Sequence, residues 1–345
     1  MAQQEQLKDI SIIGGGPTGL FAAFYAGMRG ASTRIIDALP ALGGQLMALY
    51  PEKYIFDVAG LPKVLAKDLV RDMAAQGLQF GATTHLGEIV TGLRRVEEGP
   101  DGGAHFVLET DGGEYPSRTI LIAAGIGAFE ARHLGIEGED AYEEKGLYFK
   151  VLDPKQFEGR RVLLVGGGDS AFDWAVNLQG VAQSIMLIHR RDGFRAHAAT
   201  IQQVQELCRE GRCDLRTFWE VKKIEGNGHV ERVTILNTKT KEEQTLELDA
   251  IIPLLGFHSD LGAISEWGLD TEKADIKVNQ LMETNVPGIY AAGDVTSYPG
   301  KLKLIATGAS EACIAVNNAV HYINPKAKVN PGHSSNLAIF GQKED

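Results

Sequence analysis

The chain has 345 residues, enough for about two domains with sizeable cores, and its 44% hydrophobic and 23% charged residues with 41 glycines are the composition of a turn-rich α/β enzyme. A formal net charge of −11 argues against nucleic acid as a general partner, and three cysteines are too few for a disulfide scaffold. No apolar run approaches the roughly 18 residues of a membrane span, and Met1-Ala-Gln-Gln-Glu-Gln lacks a charged-then-apolar leader, so the expectation is a cytoplasmic protein without a membrane partner.

In chain order, a strand is expected at 9–13, then the turn Gly14-Gly15-Gly16-Pro17-Thr18-Gly19, a helix over 18–29 and a strand over 33–37. That succession suits a dinucleotide. The first glycine permits a tight turn, the second lets backbone touch a pyrophosphate, and the third lets helix pack on strand, with the helix N-terminus facing the negative charge. Asp37 ends the second strand, where a carboxylate accepts hydrogen bonds from a ribose diol. The loop Leu42-Gly43-Gly44-Gln45 and Tyr50-Pro51 follow, then a helix over 62–76, strands near 78–84 and 88–95, a hairpin through 99–103 and a strand over 119–124.

After a polar connection over 137–159, the device repeats as a strand over 161–165, the turn Gly166-Gly167-Gly168-Asp169-Ser170-Ala171, a helix over 170–179 and a strand over 184–188. Here, 23 residues after the first glycine, the chain has His189-Arg190-Arg191 where the first copy has Asp37. Guanidinium groups in that place, with Arg195 just beyond, hold a 2′-phosphate, so one site takes a free ribose and the other a phosphorylated one. A helix over 197–210 and strands near 215–223, 230–238, 244–248 and 250–255 come next. Gly288 to Asp294 ends another strand in Gly293-Asp294, and a helix covers 306–320. Cys208 and Cys213 have the spacing of some redox pairs and equally that of two unrelated thiols. No metal-ligating pattern is present.

The ordered set Gly14 to Gly19, Gly43-Gly44-Gln45, Leu49-Tyr50-Pro51-Glu52-Lys53-Tyr54, Gly166 to Ala171, His189 to Arg195, Ala292-Gly293-Asp294 and His333-Ser334-Ser335 resembles the two-dinucleotide-binding flavoproteins. Among them it is similar to the thioredoxin-reductase-like ferredoxin–NADP+ reductases, over essentially the whole chain. Thioredoxin reductases place a CxxC shortly before the second glycine turn; residues 146–155 here contain no cysteine.

The resemblance implies an α/β fold of two Rossmann-like domains: an FAD domain made of 1–124 and 250–345, the latter with a C-terminal extension, and an NADPH domain over 125–249. It implies FAD on Gly14, Gly16, Thr18 and Gly19, on Asp37 for the adenosine ribose, on the Val90 backbone for adenine and on Asp294 for the ribityl chain. Gln45 and Tyr50 would flank the isoalloxazine, Phe129 would touch it, and the helix start near Thr307 would favour charge on the reduced ring. His333 or Phe340 of the extension would cover the second face, and Ser335 would touch the cofactor. NADPH would lie on Gly166, Gly168, Asp169, Ser170 and Ala171, with His189, Arg190 and Arg195 on its phosphate; Arg191 points elsewhere.

The implied reaction is hydride transfer from NADPH to FAD, then single-electron transfer to ferredoxin or flavodoxin, in a homodimer and without an acid, base or nucleophile. Lys301 and Lys303 are the candidate docking patch for an acidic carrier, or a solvated basic face. Two other readings stay open: an atypical flavin-dependent disulfide reductase working through Cys208 and Cys213, and a flavin redox sensor without turnover.

Overall fold

The computed structural model describes residues 5–49, 51–98, 103–127, 130–149, 151, 153–258, 260–329 and 334. The chain divides into two units: residues 1–129 with 259–345, and residues 130–258. The first is therefore discontinuous.

The first unit starts with β1 (Lys8–Ile13), α1 (Pro17–Met28), β2 (Thr33–Asp37) and α2 (Gln45–Leu49). A short hairpin of β3 (Tyr54–Ile55) and β4 (Val64–Leu65) leads to α3 (Ala66–Leu78), β5 (Thr83–Leu86), β6 (Val90–Val96), β7 (His105–Thr110) and β8 (Glu114–Ile122). Where a strand is expected over 78–84, the last turn of α3 reaches Leu78 and the strand begins only at Thr83. The apolar residues Val70, Met73, Ala74 and Leu78 keep helical spacing and pack on the core, which overrides the β-like look of the segment.

In the second unit, β9 (Glu130–Ala131) precedes β10 (Arg161–Val165), α4 (Asp169–Asn177), β11 (Ser184–His189), α5 (Ala198–Arg209) and β12 (Asp214–Thr217). The antiparallel strands β13 (Trp219–Glu225), β14 (Arg232–Asn237) and β15 (Glu243–Glu247) follow, then β16 (Ala250–Pro253) and β17 (Phe257–His258). The single strand expected over 215–223 is two, because Phe218 takes a left-handed φ of 65° that breaks the extended run. β16 belongs to this unit: it pairs in parallel with β10, Val162 opposite Ala250 and Val165 opposite Pro253. The unit thus runs Glu130–His258 rather than over the expected 125–249.

The chain returns to the first unit as β18 (Thr271–Glu272), β19 (Asp275–Lys277), β20 (Ile289–Ala291), β21 (Thr296–Ser297) and α6 (Ile305–Ile323). In its main sheet the order is β5-β2-β1-β8-β7-β6. The long strand β8 serves two partners on one edge, β7 along 114–117 and β20 along 120–122. Adjacent isoleucines feed opposite faces: Ile35 packs with α1 and α6, and Ile36 packs with Phe106, Leu108 and Ile289. Each fully buried Ile or Leu here contributes about 1.5–3 kcal/mol. The small buried residues Ala22, Ala23, Ala26 and Gly27 let α1 come close, and a Cβ on Gly27 would collide with the Phe80 ring. Among the described residues no helix is long and apolar enough to cross a membrane.

Candidate functional site

The first glycine turn opens a cavity of about 450 Å3 in the first unit. Gly14 has φ 106°, and a Cβ there would collide with the carbonyl of Ala123, the residue just after β8, so glycine alone brings β1, the end of β8 and the turn together. Gly19 has no room for a Cβ against the Gly14 carbonyl, which is the close helix-on-turn packing its spacing predicts. It is buried and does not line the cavity, whereas Gly14, Gly16, Pro17 and Thr18 do.

Gly16 is the N-cap of α1. It offers no side-chain hydrogen bond, Pro17 occupies the first turn, and no acidic side chain stands there. The helix N-terminus therefore turns N–H groups and the positive end of its dipole to the cavity without a side chain answering them, which is the chemistry of an anion site.

Carboxylates flank that terminus. Asp37 accepts the backbone N–H of Gly15 at 2.6 Å and of Leu39 at 2.8 Å, one on each oxygen. Burial raises its pKa, and those two donors oppose the rise. Each oxygen keeps a lone pair for the cavity it lines. Asp294, in the turn after β20, lines the same cavity; burial raises its pKa, and Lys301 and Lys303 pull it back.

Gln45 and Val90 also line the cavity. Thr307, in the first turn of α6, is half-buried and is not part of the lining. Tyr50, Phe129, His333, Ser335 and Phe340 lie outside the described residues.

Sequence reasoning missed three carboxylates of the lining, Asp57, Glu88 and Asp260, because no local motif marks them. Glu88 accepts the Tyr115 hydroxyl at 2.8 and 2.9 Å and the Thr110 hydroxyl at 2.8 Å, and its own N–H bonds the Asp37 carbonyl. It thereby holds the rim beside Val90.

Lys301 and Lys303 are not a free basic patch. The Lys301 ammonium is buried against Glu311 at 2.5 Å, and Lys303, which lines the cavity, pairs with Asp275 at 2.9 Å. Both ammonium groups are paired within the chain, Lys301 in a buried pair and Lys303 in an exposed one.

In the second unit, Gly166 packs its turn on Leu254, and a Cβ would stand 2.5 Å from that carbonyl oxygen. Ala171 is fully buried and seats α4 on the sheet. Gly168 is the N-cap of α4, and the side its Cβ would take is open for 4 Å. Ser170 follows at the helix start, half-buried. Asp169 accepts the His197 N–H at 2.8 Å on one carboxylate oxygen and so ties the far end of the basic loop to the start of α4. The near end is held by the Arg195 N–H on the Gly167 carbonyl at 2.8 Å.

Ahead of and at these anchors stand His189 and the exposed Arg190, Arg191 and Arg195, which have no ion-pair partner among the described residues. Burial lowers the His189 pKa, a Gly193 backbone bond opposes this, and the three guanidinium groups lower it further. Exposed guanidinium groups of this kind can pair with an anion.

Cys208 and Cys213 meet at the end of α5, both as free thiols, with the Cys213 thiol hydrogen-bonded to the Cys208 sulfur. Burial pushes Cys213 up to about 12 and raises Cys208. Neither is a ready thiolate.

The pattern of the pyridine nucleotide-disulphide oxidoreductase family matches residues 8–319. The chain is 49% identical over 333 residues to a ferredoxin–NADP reductase of Thermus thermophilus, spanning 96% of this chain and 98% of that protein. It is 50% identical over 338 residues to one of Halalkalibacterium halodurans, spanning 98% and 100%. The crystal structures of the thioredoxin reductases of Lactococcus lactis and T. acidophilum superpose with TM-scores of 0.78 at 26% identity; they cover 92% and 94% of this chain and 99% and 100% of their own.

Proposed function

The chain belongs to the pyridine nucleotide-disulphide oxidoreductases and, within them, to the ferredoxin–NADP reductase family, and from that premise we propose that it carries electrons between NADPH and ferredoxin by way of a bound FAD. Members of the family are FAD-containing, NADP-dependent reductases. FAD, when bound, supplies the conversion between a two-electron hydride and single electrons.

The observation that carries the reading is the doubled nucleotide cradle with unlike ends. In the first unit an uncapped helix N-terminus lies beside Asp37 and Asp294, which fits a pyrophosphate flanked by ribose and ribityl hydroxyls. Gly14, Gly16 and Thr18 hold the phosphates, Gln45 and Val90 the two ends, and Gly19 acts through packing. In the second unit the open side of Gly168 receives a pyrophosphate, and His189, Arg190 and Arg195 a 2′-phosphate. Tyr50, His333 and Phe340 stack on the flavin, with Phe129 and Ser335 beside it. The protein's work is to bind, orient and exclude water; no side chain needs to move a proton.

Flavodoxin is a second one-electron carrier of the same kind, and the enzyme acts as a cytoplasmic homodimer in this proposal. The thiol-based alternative has little chemical support, because Cys208 and Cys213 are held as neutral thiols.

The test is NADPH-dependent cytochrome c reduction by the FAD-loaded protein with and without added ferredoxin. Ferredoxin should accelerate it severalfold at equal NADPH. An FAD-loaded protein that NADPH reduces but ferredoxin does not reoxidise refutes the reading. Light scattering of the purified protein tests the dimer.

A further inference from the structure

Glu311 is 2% exposed on α6, one turn beyond Gly308, and three donors converge on its carboxylate. The Gly293 N–H donates to Oε2 at 2.7 Å, while the Tyr298 hydroxyl and the Lys301 ammonium donate to Oε1, each at 2.5 Å. Lys301 is itself 8% exposed at the side chain. A pair this buried is weak support for stability, since withdrawing two charges from water offsets most of their attraction. Its placement suggests another task.

Gly293 immediately precedes Asp294, and Asp294, Lys303, Leu304 and Ile305 form one wall of the cavity. Glu311 ties both ends of the segment 293–301 to α6. The junction is crowded, because a Cβ on Gly293 would stand 2.7 Å from the Thr18 hydroxyl and one on Gly308 would collide with it. The wall therefore cannot relax far if the clasp changes, and a change of charge there is felt mainly as electrostatics.

We propose that Glu311 is a positioning residue for the flavin site: it cancels the buried charge of Lys301 behind the Gly293–Asp294 turn, so that Asp294 acts on the bound FAD as a carboxylate that Lys301 does not offset, which disfavours the anionic reduced ring. In line with this, Lys301 is the first of the charged neighbours that pull the Asp294 pKa down, and Glu311 opposes it. In a water-poor wall, one charge more or less near the ring shifts the balance between oxidised and reduced cofactor. This inference rests on the reading of the cavity as an FAD site.

The experiment measures FAD retention and the midpoint potential of bound FAD in wild type, Glu311→Gln and the double variant Glu311→Gln/Lys301→Met. Glutamine keeps an acceptor for Gly293 and removes the charge. The single variant should favour reduced over oxidised FAD at least tenfold more than wild type, about 30 mV upward for a two-electron couple. The double variant should return to within about threefold of wild type. A single variant that holds FAD at an unmoved potential overturns the inference.

If the single variant loses FAD, a double variant that regains it at the wild-type potential supports charge cancellation, and one that stays empty overturns it. A wild-type protein that binds no FAD refutes the site assignment instead.

Discussion

Within one turn, a Cβ would meet open space on Gly168 and backbone on Gly166. The φ of −101° and ψ of 179° at Gly168 are extended backbone that alanine adopts without strain, and nothing lies within 4 Å of the added Cβ. Gly168→Ala should therefore cost only about 0.5–1 kcal/mol of fold stability, through the weaker N-cap. At roughly 2–4 °C per kcal/mol, the melting point falls by a few degrees at most. The methyl would, however, occupy the side from which a pyrophosphate approaches the N–H groups of α4. Losing one charge-assisted contact of about 2 kcal/mol raises the NADPH KM about 30-fold.

Gly166→Ala is the contrasting variant. Its Cβ stands 2.5 Å from the Leu254 carbonyl oxygen, part of the backbone that bonds Val165. That overlap costs about 1–3 kcal/mol of stability before any nucleotide is added. Thermal unfolding without nucleotide and steady-state NADPH titration form the assay. Gly168→Ala with unchanged melting and unchanged KM would refute the placement of the pyrophosphate, and equal melting losses in both variants would refute the steric argument.

Arg190→Ala with Arg195→Ala should raise the KM for NADPH at least tenfold and leave NADH nearly untouched, since each exposed guanidinium loses a charge-assisted contact to the 2′-phosphate alone; equal effects on both nucleotides in the same titration would count against it. The triple change Cys208→Ser, Cys213→Ser, Cys313→Ser should keep NADPH-driven ferredoxin reduction within about threefold, as burial pushes Cys313 up to about 11 and keeps the other two protonated as well; a folded, flavin-loaded triple variant without turnover would overturn this. Asp294→Asn should raise the melting point of the FAD-free protein at neutral pH and weaken FAD binding. Because the folded-state pKa of Asp294 is raised, its ionised form costs stability above that pKa, so the melting advantage should fade as pH drops through it. An advantage that grows toward acid would contradict the burial argument.

Local chemistry was legible from residue types alone. Glycines at fixed offsets after a strand point to a tight turn and close approach, so both turns, the packing role of Gly19 and the ends of β2 and β11 at Asp37 and His189 could be placed before any coordinates. Strong helical or alternating periodicity likewise located α1, α5 and α6 to within a few residues.

What lay beyond reach depends on partners distant in the chain. The apolar run of β16 reads as a strand, but whether it joins the first or the second unit is decided by its ladder with β10, which no feature of the run encodes. Lys301 and Lys303 look like a solvated docking patch in sequence, yet the folding of α6 and β19 brings Glu311 and Asp275 against them. Glu88 is an ordinary acid until β7 and β8 present Thr110 and Tyr115 to it. Turn geometry is written in the few residues that make the turn. The fate of a charge is set by whichever side chain the tertiary fold places within about 3 Å of it, because only at that range does pairing outweigh hydration.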